Sequence, residues 1–258
     1  MHSEKITVKW IKDSKQRQRR ITALTAYDYP MARLLDEAGI DILLVGDSLG
    51  MMVLGFPDTT HVTLDHMIHH TAAVVRAKPK ALIVADLPYL TYTTAKKTVS
   101  NARHLMEAGA EAVKLEGGLE MEPQIRALIK AKIPVMGHLG MLPQSIHQEG
   151  GVYRIKGKTP QEQEYFKKSM SLFSQIGVFA VVLELVQSDV ARQLTDHSDI
   201  PTIGIGSGDG CDGQVLVTPD LIGLCPWFKP GFVTSEADVA REIKRAVGQF
   251  KKRVKGSK

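Results

Sequence analysis

Four acidic residues lie at or beside the C-terminal ends of apolar runs: Asp47 ends residues 42–47 (ILLVGD), Asp86 ends 82–86 (LIVAD), Glu116 ends 112–116 (AVKLE) and Glu184 ends 179–184 (FAVVLE). Runs of this kind read as buried parallel strands, where a carboxylate is costly unless a cation receives it. In a closed α/β barrel all strand C-termini open onto one face, the face that carries active sites in that fold. Four carboxylates converging there point to a metal-assisted enzyme.

Asp47 and Asp86, on neighbouring strand ends, can share one divalent cation, and Mg²⁺ takes a few carboxylates while keeping positions for water or substrate oxygens. One such aspartate alone often does no more than cap a turn. The pair, with Glu116 beside it, reads as a metal site, and the lack of histidine or cysteine in the set speaks against zinc. Lys114 and Glu116 are two residues apart, so on a strand they share a face, the interior one, because Val113 and Leu115 are apolar and meet the surrounding helices. They form either a structural ion pair or a working pair in which Lys114 holds an anionic substrate and Glu116 orients water in the metal's shell. Glu184 lies in GVFAVVLELV, the least favourable setting of the four for an ionised carboxylate. Desolvation raises a carboxyl pKa and suits a general base near neutral pH; a glutamate satisfied by backbone donors is the alternative. His138, in MGHLG, reads as a hydrogen-bonded rim residue, and His66, His69 and His70 as a solvated helix face despite a spacing that can bind metal. The glycine-rich residues 203–213 (IGIGSGDGCDG) resemble a phosphate-cradling loop of the kind barrels carry after the seventh strand, or else permit a tight turn near a ligand.

The elements that must position these residues alternate along the chain. Candidate strands are 21–27, 42–46, 81–86, 112–115, 135–139, 180–185, 202–205 and 214–217, and amphipathic segments fall at 30–38, 64–77, 95–108, 121–131, 160–176, 189–195 and 236–250. Thr159, Pro160 and Glu162 form a capping box with a first-turn proline. Gly39, Gly109 and Gly177 each end a helix and lead into a strand that closes on its acid, which places the acids on a common rim. These features predict an α/β fold, an eight-stranded parallel (β/α)8 barrel forming a single domain over residues 1–258, a size usual for that fold. A doubly wound sheet would carry an early phosphate-binding glycine loop, and none is present. Residues 50–63 and 143–158 follow strand ends without a clear element and read as lids. Val239, Ile243, Val247 and Phe250 share one face of the last helix, which either packs on the barrel or meets another subunit.

The formal charge of +5 is concentrated in basic runs at 15–20 and 251–258, without aromatic interleaving. These read as short solvated N- and C-terminal tails rather than a nucleic-acid face. Cys211 and Cys225 lack CxxC spacing, which suits a reducing compartment. No apolar stretch approaches the roughly 20 residues that span a bilayer, and no apolar leader follows the first charges. The expectation is a soluble cytoplasmic protein with no membrane or nucleic-acid partner.

Several stretches, in order and covering most of the chain, resemble the ketopantoate hydroxymethyltransferase (3-methyl-2-oxobutanoate hydroxymethyltransferase) family: LTAYDYPMARLLDEAGIDILLVGDSLGMMVLG from Leu24, HVTLDHMIHHTAAVVRA from His61, VADLPY from Val84, EAVKLEGG from Glu111, IPVMGHLGMLPQS from Ile133 and IPTIGIGSGDGCDGQVLV from Ile200. The resemblance implies a barrel enzyme of pantothenate biosynthesis that uses Mg²⁺ and 5,10-methylenetetrahydrofolate as co-substrate, assembled as a homo-oligomer, a decamer. By position it implies Asp47, Asp86 and Glu116 as the metal site, Asp47, Ser48, Asp86 and Lys114 as the oxo-acid contacts, and Glu184 as the proton acceptor. Leu90 stands where the family usually has glycine, Ser207 replaces a small alanine, and PWFKPGFV is looser than the family pattern. These departures bear on lid shape and subunit packing rather than on the acids. Two other readings of the same residues are a metal-free aldolase with a Schiff base on Lys114 and a non-catalytic barrel that binds an oxo acid.

Overall fold

The computed structural model describes residues 4–148, 150–228 and 230–256. Glu149 in the second lid segment, Lys229 in PWFKPGFV and the last two residues of the C-terminal basic run lie outside the described residues. All eight expected strands are present: β1 (Ile21–Thr25), β2 (Ile42–Val45), β3 (Leu82–Asp86), β4 (Ala112–Glu116), β5 (Val135–Gly140), β6 (Ala180–Glu184), β7 (Thr202–Ile205) and β8 (Gly213–Leu216). They close into a parallel barrel in sequence order. The chain divides into two compact units, Met1–Val215, which holds the barrel, and Leu216–Lys258.

The helices of the first unit are α1 (Val8–Gln16), α2 (Tyr29–Glu37), α3 (Leu49–Met52), α4 (Leu64–Val75), α5 (Ala95–Glu107), α6 (Glu122–Lys130), α7 (Pro160–Ile176) and α8 (Ser188–Asp196). The second unit holds α9 (Thr218–Leu221) and α10 (Val239–Lys255). The Thr159–Glu162 capping box forms as the sequence predicts, and Gly177 ends α7 at φ 94°, a left-handed backbone that disfavours any side chain. The lid segments are not structureless: α3 and a 3₁₀ turn, Thr59–His61, lie in the first, and a 3₁₀ turn, Pro143–Ser145, lies in the second. Their apolar periodicity is too short to register as elements in the sequence.

Alternate strand residues fill the barrel. Ile21, Ala23, Ile42, Leu44, Leu82, Val84, Ala112, Met136, Ala180, Val182, Ile203 and Val215 form one buried apolar cluster. Each lies before the C-terminal end of its strand, so the interior is apolar below and changes to charge only at the rim. Ile6 and Ile11 join that cluster, because the N-terminal segment and α1 pack against the barrel interior. This corrects the reading of residues 15–20 as a solvated tail. Lys15 pairs with Asp212 at 2.8 Å, Arg20 donates to the carbonyls of Cys211 and Asp209, and Arg19 stacks over Trp10. The helix escaped the sequence reading because only a few apolar residues mark its packed face. The C-terminal basic run is likewise helical as far as Lys255, where its cations suit the carbonyl end of α10.

Candidate active site

At the C-terminal ends of β3–β6 the interior positions stop being apolar. Asp86, Lys114, Glu116, His138 and Glu184 stand there, each on the parity that faces inward, and the register sets Asp86 beside Lys114 and Glu116 beside His138. Asp47 enters just past β2, where its backbone N–H donates to Asp86 Oδ2 at 3.1 Å. A Cβ on Gly46 would lie 3.0 Å from Ser48 Oγ, a tight contact, and 3.6 Å from Asp86 Oδ2, an ordinary one. Ser48 Oγ shares a hydrogen bond of 2.8 Å with the Tyr27 hydroxyl, just beyond β1.

A continuous series of polar contacts links the strand ends. Lys114 Nζ lies 3.1 Å from Asp86 Oδ1 and 3.4 Å from His138 Nδ1. His138 Nδ1 lies 3.5 Å from Glu116 Oε1, and its Nε2 lies 3.2 Å from Glu184 Oε2. Burial acts against the Lys114 ammonium, but the carboxylates of Asp86, Glu116 and Asp47 outweigh it and hold its pKa above the ordinary lysine range. Burial and the Lys114 charge both pull His138 down; the hydrogen bonds to Glu116 and Glu184 win, leaving its pKa raised from 6.5 to about 9. Asp47 moves well above the carboxylate range, because it is buried and faces the charges of Asp86 and Glu116. Asp86 rises less, since Lys114 offsets its burial.

The expected residues thus come together, with two differences of environment. Glu184 is the most accessible of the four acids, its side chain 13% exposed against 3% for Asp86 and for Glu116, and it has His138 as a partner. The setting least favourable to a charged carboxylate belongs instead to Asp47, where burial is the largest cost and the like charges of Asp86 and Glu116 add to it. His138 is a hydrogen-bonded residue of the rim, as expected, and it is buried, linking three strands.

Glu116 directs its oxygens to His138 and to the backbone N–H of Gln144, and among the described residues no three His, Cys, Asp or Glu side chains converge on one metal position. His66 is occupied in the α4 capping box with Thr63, and His70 bonds the Tyr27 carbonyl. Ser207, in the glycine-rich loop, accepts from the Val186 N–H and donates to the Leu183 carbonyl, so it braces the ends of β6 and β7.

Comparison with known proteins decides what this rim belongs to. A model of the ketopantoate hydroxymethyltransferase family matches residues 5–258. The 3-methyl-2-oxobutanoate hydroxymethyltransferases of Moorella thermoacetica and Ignicoccus hospitalis are 50% and 48% identical, each alignment covering 98% of this chain and 95% of the relative. The chain belongs to the ketopantoate hydroxymethyltransferase family. It is an enzyme of the transferase class, as its relatives' names state. Solved structures share the barrel at lower sequence similarity. Phosphonopyruvate hydrolase in complex with oxalate and Mg²⁺ superposes with a TM-score of 0.65 at 12% identity, covering 97% of this chain and 88% of that one. The 2,3-dimethylmalate lyase of the PEP mutase/isocitrate lyase superfamily gives 0.65 at 16% identity, covering 95% and 87%.

At Leu90 the backbone adopts φ 59°, the left-handed region that favours glycine. The side chain is exposed there, so the strain is local to the turn after β3. Tyr27, Tyr92 and Gln144 also join the site, and sequence reasoning missed all three. Their only signal was position: each lies within a few residues of a strand's C-terminal end or of the turn that follows it.

The side chains fit a divalent cation. Fully ionised, the four carboxylates face Lys114 and His138 as their cations among the described residues, which leaves two negative charges to be countered. Asp86 Oδ1 is buried without a well-formed hydrogen bond, although Lys114 is near. Two adjacent aspartates with hard oxygen donors are what Mg²⁺ accepts, with its remaining positions left for water or substrate.

Proposed function

We propose that this enzyme transfers a hydroxymethyl group from 5,10-methylenetetrahydrofolate to 3-methyl-2-oxobutanoate, giving 2-dehydropantoate for pantothenate biosynthesis, with Mg²⁺ held by Asp47 and Asp86. The observation that carries the reading is the contact series Asp86–Lys114–His138–Glu184 on one buried rim, in a chain of this family. The phosphonopyruvate hydrolase structure holds oxalate, a small dicarboxylate, together with Mg²⁺ on a barrel of like fold. Asp47 and Asp86 would hold the Mg²⁺, which would supply Lewis-acid polarisation of the substrate carbonyl.

The protein's own groups account for the rest. Lys114, kept protonated by its carboxylate neighbours, places a fixed positive charge beside the oxygen on which negative charge develops, usually a large catalytic contribution. Ser48, oriented by Tyr27, offers a donor to the substrate carboxylate. Glu184 accepts the proton from the carbon adjacent to the carbonyl, and the His138 imidazole 3.2 Å away orients its carboxylate. Glu116 acts from the outer side of the site, holding His138 and the Gln144 backbone. Water opens the methylene bridge of the folate and releases its carbon at the formaldehyde level, leaving tetrahydrofolate. The enolate carbon adds to that carbon, and the new alkoxide takes back a proton to become the hydroxymethyl group. A lysine held above its ordinary pKa is a poor Schiff-base nucleophile, which weighs against the metal-free aldolase reading.

Assembly as a homo-decamer in the cytoplasm belongs to the same proposal. Ile243, Val247, Phe250 and Val254 are exposed along one face of α10, a surface suited to contact between copies. Among the described residues no helix is long and apolar enough to cross a membrane.

The test is proton exchange of 3-methyl-2-oxobutanoate in D₂O, followed by NMR with Mg²⁺ or with EDTA, and then product formation with the folate. Exchange that needs Mg²⁺ supports the reading. Product formation that survives EDTA, with a borohydride-trapped adduct on Lys114, would replace it.

A further inference from the structure

The 3₁₀ turn after β5 carries a side chain that joins the two halves of the acid set. Gln144 is 3% exposed, and its amide nitrogen donates to Asp47 Oδ2 at 2.7 Å and to the Leu87 carbonyl at 3.0 Å. Its amide oxygen accepts from the Tyr92 hydroxyl at 2.5 Å, and its backbone N–H donates to Glu116 Oε2 at 3.0 Å. The amide has one workable orientation: rotating it by half a turn would set its oxygen against a carboxylate and a carbonyl, neither of which can donate. Tyr92 reinforces that orientation, because burial and the charges of Glu116 and Asp47 push its pKa up and keep the hydroxyl a donor. A neutral residue thus stands between two acidic groups and satisfies one oxygen of each, Asp47 through its side-chain amide and Glu116 through its backbone N–H.

We propose that Gln144, locked by Tyr92, is a positioning residue that fixes Asp47 Oδ2 and thereby presents the other carboxylate oxygen to the cation and oxo acid. The inference rests on the reading of Asp47 as a metal ligand. Outer-shell partners of metal ligands are generally worth about tenfold to a hundredfold in metal affinity. Gln144→Met keeps length and the backbone N–H but removes the amide; Tyr92→Phe removes only the lock.

The experiment is calorimetric titration of the full chain with Mg²⁺, without substrate, for the parent, Gln144→Met, Gln144→Ala, Tyr92→Phe and Asp47→Asn. Mn²⁺ EPR serves as a second readout of ligand geometry, and circular dichroism confirms folding. We expect Gln144→Met and Gln144→Ala to weaken Mg²⁺ binding about tenfold or more and to change the Mn²⁺ spectrum, with a smaller loss in Tyr92→Phe. If Gln144→Ala does not fold, Gln144→Met and Tyr92→Phe carry the same comparison. Mg²⁺ affinity within about twofold of the parent in the Gln144 variants, while Asp47→Asn loses it, overturns the positioning role and leaves the ligand assignment standing. An Asp47→Asn variant that binds Mg²⁺ like the parent overturns the ligand assignment, and the inference falls with it.

Discussion

The contact between His138 and its two glutamates makes a quantitative prediction about stability. In the fold the His138 pKa is raised from 6.5 to about 9, against burial and the adjacent Lys114, by hydrogen bonds to Glu116 and Glu184. A group bound more tightly to its proton in the folded chain stabilises the fold while the pH is below its unfolded value. That contribution is complete below about pH 6.5 and is lost as pH rises through about 9. At about 1.4 kcal/mol for each tenfold in proton affinity, the full effect is about 3 kcal/mol. His138 is 2% exposed, so solvent screening removes little of it. The assay is urea unfolding of EDTA-treated parent and His138→Asn at about pH 6 and about pH 9.5. The stability difference between the two proteins should shrink by about 3 kcal/mol at the higher pH. Direct NMR titration of the imidazole nitrogens in the parent checks the same quantity without a substitution. Parallel pH curves, or an imidazole titrating near 6.5, would refute the charged link between β4, β5 and β6.

Glu184→Gln should retain Mg²⁺ and oxo-acid binding but lose about a hundredfold or more of the exchange rate in D₂O; full exchange would remove Glu184 from the base role. Asp86→Ala should weaken Mg²⁺ and 3-methyl-2-oxobutanoate together in calorimetric titrations, whereas unchanged metal affinity would count against it as a ligand. Gly140 has φ 105°, and a Cβ there would lie 2.1 Å from the Glu184 carbonyl oxygen. Gly140→Ala should therefore lower the melting temperature and the exchange rate together, since the end of β6 must move; retention of both would show that the strand end yields without effect on the base.

Where the sequence was sufficient, short-range periodicity was the reason. Each of the eight strands was visible as an apolar run between turn signals, and the two-residue spacing of Lys114 and Glu116 fixed their common inward face before any coordinates. Parallel strands in sequence order bring their C-terminal ends to one rim by topology alone, so the acids at those ends had to meet. What the sequence left open was which group partners which. Gln144 lies 97 residues from Asp47 and 52 from Tyr92, and His138 lies 24 from Lys114, separations at which no local pattern records a contact. Glu184 is another case: its chain neighbours are apolar, but the imidazole 3.2 Å from its carboxylate comes from another strand. Helix α1 was missed because its apolar face is narrow, and only the open end of a closed barrel gives Ile6 and Ile11 somewhere to be buried. Residue type and spacing thus determined the barrel and the acids on its rim. Tertiary structure alone decided the charge each carries and the partner that holds it, because electrostatic energy depends on distance through space and on burial rather than on separation along the chain.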